Sequence, residues 1–590
     1  MKRLRTIAKA CAIFAHHAPL YCFIHILITV ISATKVYVMA MINKILINEF
    51  VCQMQKNNIK EGLLAIAQII IFLFVVEFLY SSFSSVSKYW MSKYAMYYQD
   101  KMRFLFLRKI SDIDVSFFDS PSQKNEMTQA NKDVESMEAL FKSVVALSIA
   151  AVSTIVSLSI IVRLNLILTI AIVISLIPSF FLRKKIQKDA YKLEKELNLT
   201  NRKVHYFVDL FNKNGVAFEM RLFNFSENII TKLKELFHYR NNKKLKLSRR
   251  NVALELFTLI VSGILNITYH LYIIYIILLQ KLTLGDYNYY SSIAGNFKGS
   301  IEIILNNCSA IIINAEKMDS YLAFMEKPNL IKNGKQTLSK NTSHIIEFRN
   351  VSFTYPNTNC PVIKNLSFSI SGGEKIALAG LNGAGKTTVI KLLLRFYDPT
   401  EGEIRCDGIN IKNYDIDNYR TLFSASFQDG TTYDAMTLKE NVAISNPKKD
   451  VDNLLIIQAL NFSGLQLEEQ NLGMIIGKQF DEEGLVLSKG QGQSLRIARS
   501  FYRECGISIF DEPASNLDAA KEQRLLDRIF SCATVDKSIV LISHRLSNLK
   551  KVDKIVFLEN GTAVEIGSHE QLLSIKGRYH NLYHMQADRY

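Results

Sequence analysis

The pattern of apolar positions changes near the middle of the chain. Up to about residue 330 apolar residues run together in long blocks; beyond it they come in short runs broken by polar ones. Six blocks are long enough, at about 1.5 Å per helical residue, to cross a hydrocarbon layer of about 30 Å. They are Leu20–Leu46, Leu63–Phe83, Val144–Val162, Leu166–Leu182, Leu256–Leu279 and a weaker sixth from Tyr287 to Ile313. The stretches 84–143 and 183–251 keep a helical period without a Pro/Gly-rich linker, so the spans are predicted to continue as helices well beyond the bilayer. Short turns, Arg163–Asn165 and Lys281–Asp286, are expected on the other side. The chain therefore divides into a membrane domain, 1–330, a polar linker, 331–344, and a soluble domain, 345–590. In the last, Lys375–Ala379 and Ile507–Phe510 read as buried strands and Val389–Phe396 as a helix.

Charge fixes the topology. Lys and Arg number 71 against 54 Asp and Glu, a net charge of +17. Much of the excess sits beside the apolar blocks, at Lys2, Arg3 and Arg5, at Arg183, Lys184, Lys185 and Lys188, and from Lys232 to Arg250. Basic residues flanking membrane spans mark the cytoplasmic side, so the N-terminus, both long extensions and the soluble domain are placed in the cytoplasm of a plasma-membrane protein. The same placement argues against a nucleic-acid partner; membrane lipid is the expected surrounding. Eight scattered cysteines without a C-x-x-C pair suggest neither a zinc site nor a disulfide framework. The basic start and apolar run resemble a signal peptide, but no small-residue cleavage site stands out and further spans follow.

The chemistry is concentrated in Gly380-Leu-Asn-Gly-Ala-Gly-Lys-Thr-Thr388, which fits G-x-x-x-x-G-K-[ST] between a strand and a helix. Glycines at 380, 383 and 385 let backbone N–H groups, with Asn382, curl around phosphate oxygens, and the following helix directs its positive end at them. Lys386 would reach the β- and γ-phosphates, Thr387 would hold Mg²⁺, and Thr388 completes the loop. Asp511 and Glu512 end the second buried strand. That position suits Asp511 to Mg²⁺ and Glu512 to general base for attack on the γ-phosphate. These residues point to binding of a nucleoside triphosphate, ATP, with Mg²⁺.

With these motifs in place, residues 345–590 resemble the nucleotide-binding domain of ATP-binding cassette (ABC) transporters, motif by motif and in the family's order. The resemblance implies an aromatic stacked on adenine at Tyr355 in Phe353-Thr-Tyr-Pro356. It implies a Q-loop glutamine at Gln428 in Ser426-Phe-Gln-Asp429, which senses Mg²⁺ and the attacking water. Leu487-Ser-Lys-Gly-Gln491 is similar to the signature motif, Ser515-Asn-Leu-Asp518 to the D-loop, and His544 in Ile542-Ser-His-Arg545 to the switch histidine. Lys489 stands where the family usually has glycine, and Asn516 where it has alanine. Ser488, Gly490 and Gln491 keep the signature's hydroxyl, its close backbone approach and its polar side chain, and Lys489 is expected to point away harmlessly rather than add a positive charge near phosphate. In this family the signature faces the ATP of an opposite domain, so the chain is expected to pair, and its intact motifs favour a second copy, a homodimer, over a heterodimer with one degenerate site.

The membrane half resembles the family's exporters more weakly. Ser116–Pro121 with Asn125–Met137, and then Tyr206–Phe223, resemble its two cytoplasmic coupling regions. The implied fold is an α-helical six-span membrane domain of ABC exporter type, domain-swapped in the dimer, followed by an α/β P-loop NTPase domain. Asn288, Ser292, Asn296, Gly299, Glu302 and Asn306 recur on one face of the sixth span, with Lys298 and Glu302 spaced to pair. That face lines either a transport pathway or a polar helix–helix contact. Lys35, Glu77, Asn266 and His270 raise the same question. Ile476–Gly484 and Tyr579–Ala587 resemble exporters of lantibiotics and related ribosomal peptides. A peptide is therefore the expected cargo; a lipid or hydrophobic drug, or an ATP-gated channel or regulator, are the alternatives.

Overall fold

The computed structural model describes residues 2–56, 59–134, 136–164, 166–279, 282–338, 343–356, 358–428, 430–514 and 517–587. Asn165, Lys281, Asp429, Ser515 and Asn516, named above, and 339–342 of the linker lie outside the described residues. The chain folds as two units: residues 1–112 with 122–327, and 113–121 with 328–590.

The first unit is helical: α1 (Lys2–His17), α2 (Pro19–Lys56), α3 (Ile59–Asp112), then, after α4 (Ser116–Asp119), α5 (Pro121–Asp133), α6 (Ser136–Leu164), α7 (Leu166–Phe211), α8 (Asn214–Leu222), α9 (Ser226–Leu278) and α10 (Leu284–Met325). Each apolar block lies within one long helix, and α3, α7 and α9 carry it far into polar sequence. Among the described residues, Pro19–Gln55, Lys60–Asp112 and Ser136–Arg163 are long and apolar enough to cross a membrane; the apolar part described in α9, Asn266–Leu278, is shorter. The basic N-terminus forms α1, which buries Ala10 and Phe14, the latter against the rings of Tyr21, Tyr98 and Phe141. α4 belongs with the second unit. Its Ser116 and Phe117 are buried, and Asp114 just before it accepts the backbone N–H groups of Leu330 and Ile331.

The second unit runs β1 (Ile346–Phe353), β2 (Ile363–Ile370), β3 (Lys375–Gly380), α11 (Lys386–Leu393), β4 (Glu401–Cys406), β5 (Ile409–Asn410), α12 (Ile416–Arg420), β6 (Phe423–Ser426), α13 (Leu438–Ala443), α14 (Asn453–Phe462), α15 (Lys489–Tyr502), β7 (Ile507–Asp511), α16 (Ala519–Ser531), β8 (Ser538–Ile542), β9 (Lys554–Glu559), β10 (Thr562–Gly567), α17 (His569–Ile575) and α18 (Arg578–Ala587). One antiparallel sheet has the order β2-β1-β4-β5; the other has the order β10-β9-β3-β8-β7-β6 and is parallel except at β10. The parallel strands are buried on both faces, which is why β3, β8 and β9 carry the apolar runs Ile376–Ala379, Ile539–Ile542 and Ile555–Leu558. Ile376, Leu378, Val540 and Ile542 face a core that includes α11. Ala377, Ala379, Ile539, Leu541 and Phe510 face one built from α15, α16 and α18. Part of the stretch read as a linker is bonded to this unit: Arg395 donates to Lys332 O (2.7 Å) and Asn333 to Asp415 (2.8 Å).

Candidate nucleotide site

Strand register assembles the site. Ser426, Phe510, Leu541 and Ala377 lie side by side across β6, β7, β8 and β3. The next few residues of each strand leave the same sheet edge carrying Gln428, Asp511 and Glu512, His544, and the Gly380 loop. The carboxyl ends of parallel strands are where open α/β sheets bind ligands.

At the loop, Gly385 caps α11 with φ +101°, and Gly380 has φ +143°, where a Cβ would lie 2.2 Å from Leu558 O. Only glycine suits that approach. Leu381, Asn382 and Gly383 are exposed, as is Thr387, while Thr388 is buried. Lys386 is buried and donates to the loop's own carbonyls, Gly380 O and Leu381 O, both at 2.9 Å. Burial holds its ammonium below the usual lysine range, against the pull of Glu512 and Asp511. A buried cation that donates to loop carbonyls and faces two carboxylates suits a triphosphate, and the oxygen donors Thr387 and Asp511 suit a hard cation such as Mg²⁺.

Glu512 sits at φ +48°, a left-handed conformation of order 1–3 kcal/mol above the alternatives for such a residue. Its N–H bonds Ile542 O at 3.0 Å. Both carboxylate oxygens are taken: Gln428 Nε2 donates to Oε2 (2.7 Å) and His544 Nδ1 lies 3.0 Å from Oε1. A carboxylate that accepts this bond calls for the His544 tautomer with its hydrogen on Nδ1. The three side chains expected to act on water thus meet at one carboxylate. Tyr355 places its hydroxyl 3.1 Å from Thr388 Oγ1, over the start of α11.

The signature residues form a separate cluster. Ser488 caps α15 and its hydroxyl accepts the Gln491 N–H (3.2 Å), while Gln491 Oε1 accepts the Ser488 N–H (2.9 Å), a capping box. Lys489 is exposed and lines a groove with Thr432, Asp434, Gly477 and Gly492. Of the D-loop, Asp518 caps α16 through Lys521 N (2.9 Å).

In the first unit, Asn296 Nδ2 lies within hydrogen-bond distance of Tyr37 Oη (3.0 Å), Ser153 Oγ (3.1 Å) and Ser157 Oγ (3.2 Å), joining α10 to α2 and α6. Asn288, Ser292, Lys298 and Glu302 are half-buried and Asn306 is exposed. Lys35 lies 3.9 Å from Glu77, and His270 3.2 Å from the Tyr287 hydroxyl.

Two residues escaped sequence reasoning. Gln493 Nε2, on α15, donates to Glu512 O (3.1 Å). Gln586, on α18, donates to His544 O (2.7 Å) and accepts from Leu546 N (2.9 Å). Gln493 was legible only as a polar position on an amphipathic helix, and Gln586 carried no signal. Among the described residues one cluster, His344, Cys406 and Asp407, has metal-ligand spacing. Burial pushes its thiol up to about 12, so it stays protonated and a poor ligand.

Comparison with known proteins agrees with this geometry. Residues 19–208 match the model for the ABC transporter transmembrane region, and residues 363–515 match that for the ABC transporter. The subtilin transport ATP-binding protein SpaT of Bacillus subtilis is 27% identical over 84% of this chain and 81% of its own. The nisin transport ATP-binding protein NisT of Lactococcus lactis subsp. lactis is 24% identical over 88% and 87%. An ATP-dependent lipid A-core flippase of Wigglesworthia glossinidia brevipalpis is 27% identical over 82% of each. A solved bacterial Atm1-family ABC exporter with ATP bound shares the fold, with TM-score 0.78 and 20% identity over 95% of this chain and 98% of that one. The two models of one family together match more than half of the chain, membrane region first, and the chain belongs to the ABC transporters: a multi-pass membrane exporter fused to its own ATP-binding, transport-coupled ATPase domain.

Proposed function

We propose that this exporter moves a ribosomal peptide of lantibiotic type out of the cytoplasm, as a domain-swapped homodimer in the plasma membrane. Its N-terminus and ATPase domain are cytoplasmic. The observation that carries the hydrolytic part is the Glu512 carboxylate held by Gln428 and His544. A carboxylate oriented at both oxygens is a general base set for a water, and a gate that uses nucleotide only to switch conformation needs no such arrangement. Tyr355 stacks the adenine, the backbone of Gly380–Thr388 with Lys386 cradles the phosphates, and Ser488, Gly490 and Gln491 of a second copy complete the site. Thr387, Gln428 and Asp511 would hold Mg²⁺, which neutralises charge developing on the phosphates. Two bound ATP draw two ATPase domains together, the membrane helices turn outward, and hydrolysis resets them; the preference of ATP for the closed pair supplies the drive. The exposed apolar side chains Phe218, Leu222 and Phe223, at and just beyond α8, support a second copy that covers them.

Support for a peptide comes from SpaT and NisT, similar along most of the chain. The flippase match, of equal extent, favours a lipid as the second possibility. The test is ATPase stimulation of the reconstituted protein across peptides, lipids and dyes. Peptides are expected to stimulate; a response to lipids or dyes and to no peptide overturns the peptide assignment.

A further inference from the structure

Three side chains outside the phosphate machinery tie Tyr355 to α4. The Tyr355 ring stands edge-on to that of Tyr397, 5.3 Å between centres at 83°, and both pack on Phe353. Tyr397 is buried and its hydroxyl donates to Oδ2 of Asp119, the last residue of α4. Lys391, on α11 one turn beyond Thr388, donates to the same oxygen at 3.3 Å. Its ammonium also lies 5.4 Å from the centre of the Tyr355 ring and 5.8 Å from that of Tyr397, within cation–π range of both. One carboxylate oxygen therefore orients two of the groups that border the Tyr355 ring. Burial, then Asp119, holds the Tyr397 hydroxyl above the usual tyrosine range, so it remains a donor.

We propose that Asp119, acting through Tyr397 and Lys391, couples a base stacked on Tyr355 to the seating of α4, so that this segment responds to the base of the nucleotide as well as to its phosphates. The proposal rests on Tyr355 as the stacking residue. A base lying on Tyr355 fixes a ring that Lys391 and Tyr397 border, and their shared acceptor is part of α4. Linkage then runs both ways: a seated α4 favours the base, and the base favours a seated α4. Asp119 is a positioning residue, since it touches neither phosphate nor attacking water.

The experiment compares ATP with ribose 5-triphosphate, which has the phosphates and no base, on the full-length protein in nanodiscs. In Asp119→Asn and in Tyr397→Phe the KM for ATP is expected to rise about fivefold, the low end of a typical coupling between sites. The double variant should be no worse than either single one, and kcat and the KM for ribose 5-triphosphate should stay unchanged. Hydrogen exchange of residues 113–120 should slow with ATP in the wild type, but neither with ribose 5-triphosphate nor with ATP in Asp119→Asn. Equal KM rises for both substrates, or equal protection by both, overturns the coupling. Tyr355→Ala separates the two ideas. Loss of base preference there but not in Asp119→Asn overturns the coupling alone, and unchanged base preference in Tyr355→Ala overturns the stacking role as well.

Discussion

Glu512 combines a left-handed backbone with a carboxylate bonded at both oxygens. Such strain persists only where surrounding bonds over-determine it, and here the Glu512 N–H bond to Ile542 O does part of that work. Glu512→Gln keeps the shape and removes the base. Steady hydrolysis should fall by about 10²-fold or more while nucleotide still binds, as a turnover assay beside equilibrium binding would show; undiminished turnover would refute the base assignment. Lys386 gives a second outcome. Burial lowers its pKa, whereas a triphosphate would stabilise its charged form and raise it. Binding should therefore take up protons, and affinity should fall as pH rises through the lowered pKa. Calorimetry in buffers of different ionisation enthalpy measures that uptake; zero uptake on the alkaline side would contradict it.

Helix α15 does two jobs: its first turn presents the signature, and Gln493 a turn later bonds the backbone of Glu512 in the same chain. Gln493→Leu preserves size and helix propensity. It should lower kcat several-fold and stability by about 1 kcal/mol, the worth of one buried hydrogen bond, with the KM for ATP little changed. A denaturation curve beside the kinetics checks both. At this scale the sequence was informative unevenly. The apolar blocks were legible because a helix that faces lipid must be apolar along its length, and the strands because burial on both faces favours runs such as Ile376–Ala379. The loop glycines were legible because φ near +100° excludes other residues. Gln493, Tyr397 and Gln586 were not, because their partners lie 19, 278 and 42 residues away and no local spacing records such a pairing. α1 was read for its charge, which concealed Ala10 and Phe14 on its buried face.

For the whole molecule, the proposed sharing of each site between two copies can be tested. If each site joins Glu512 of one copy to Ser488 of the other, the placement of lesions matters. Ser488→Arg in one copy with Glu512→Gln in the other leaves one site intact. Both changes in a single copy, paired with wild type, damage both sites. ATPase activity of tagged, purified mixed dimers should therefore be higher for the split arrangement. The reverse order would mean that each site lies within one copy and is not shared.

The bond from Gln586 to the His544 carbonyl has a practical consequence for handling the protein. The histidine held against Glu512 depends on a residue from the last turn of α18. A truncation before position 586, proteolytic trimming during purification, or a rigid fusion that distorts α18 would slacken the histidine from behind. Such a preparation would still capture nucleotide and look intact on a gel while turning over slowly.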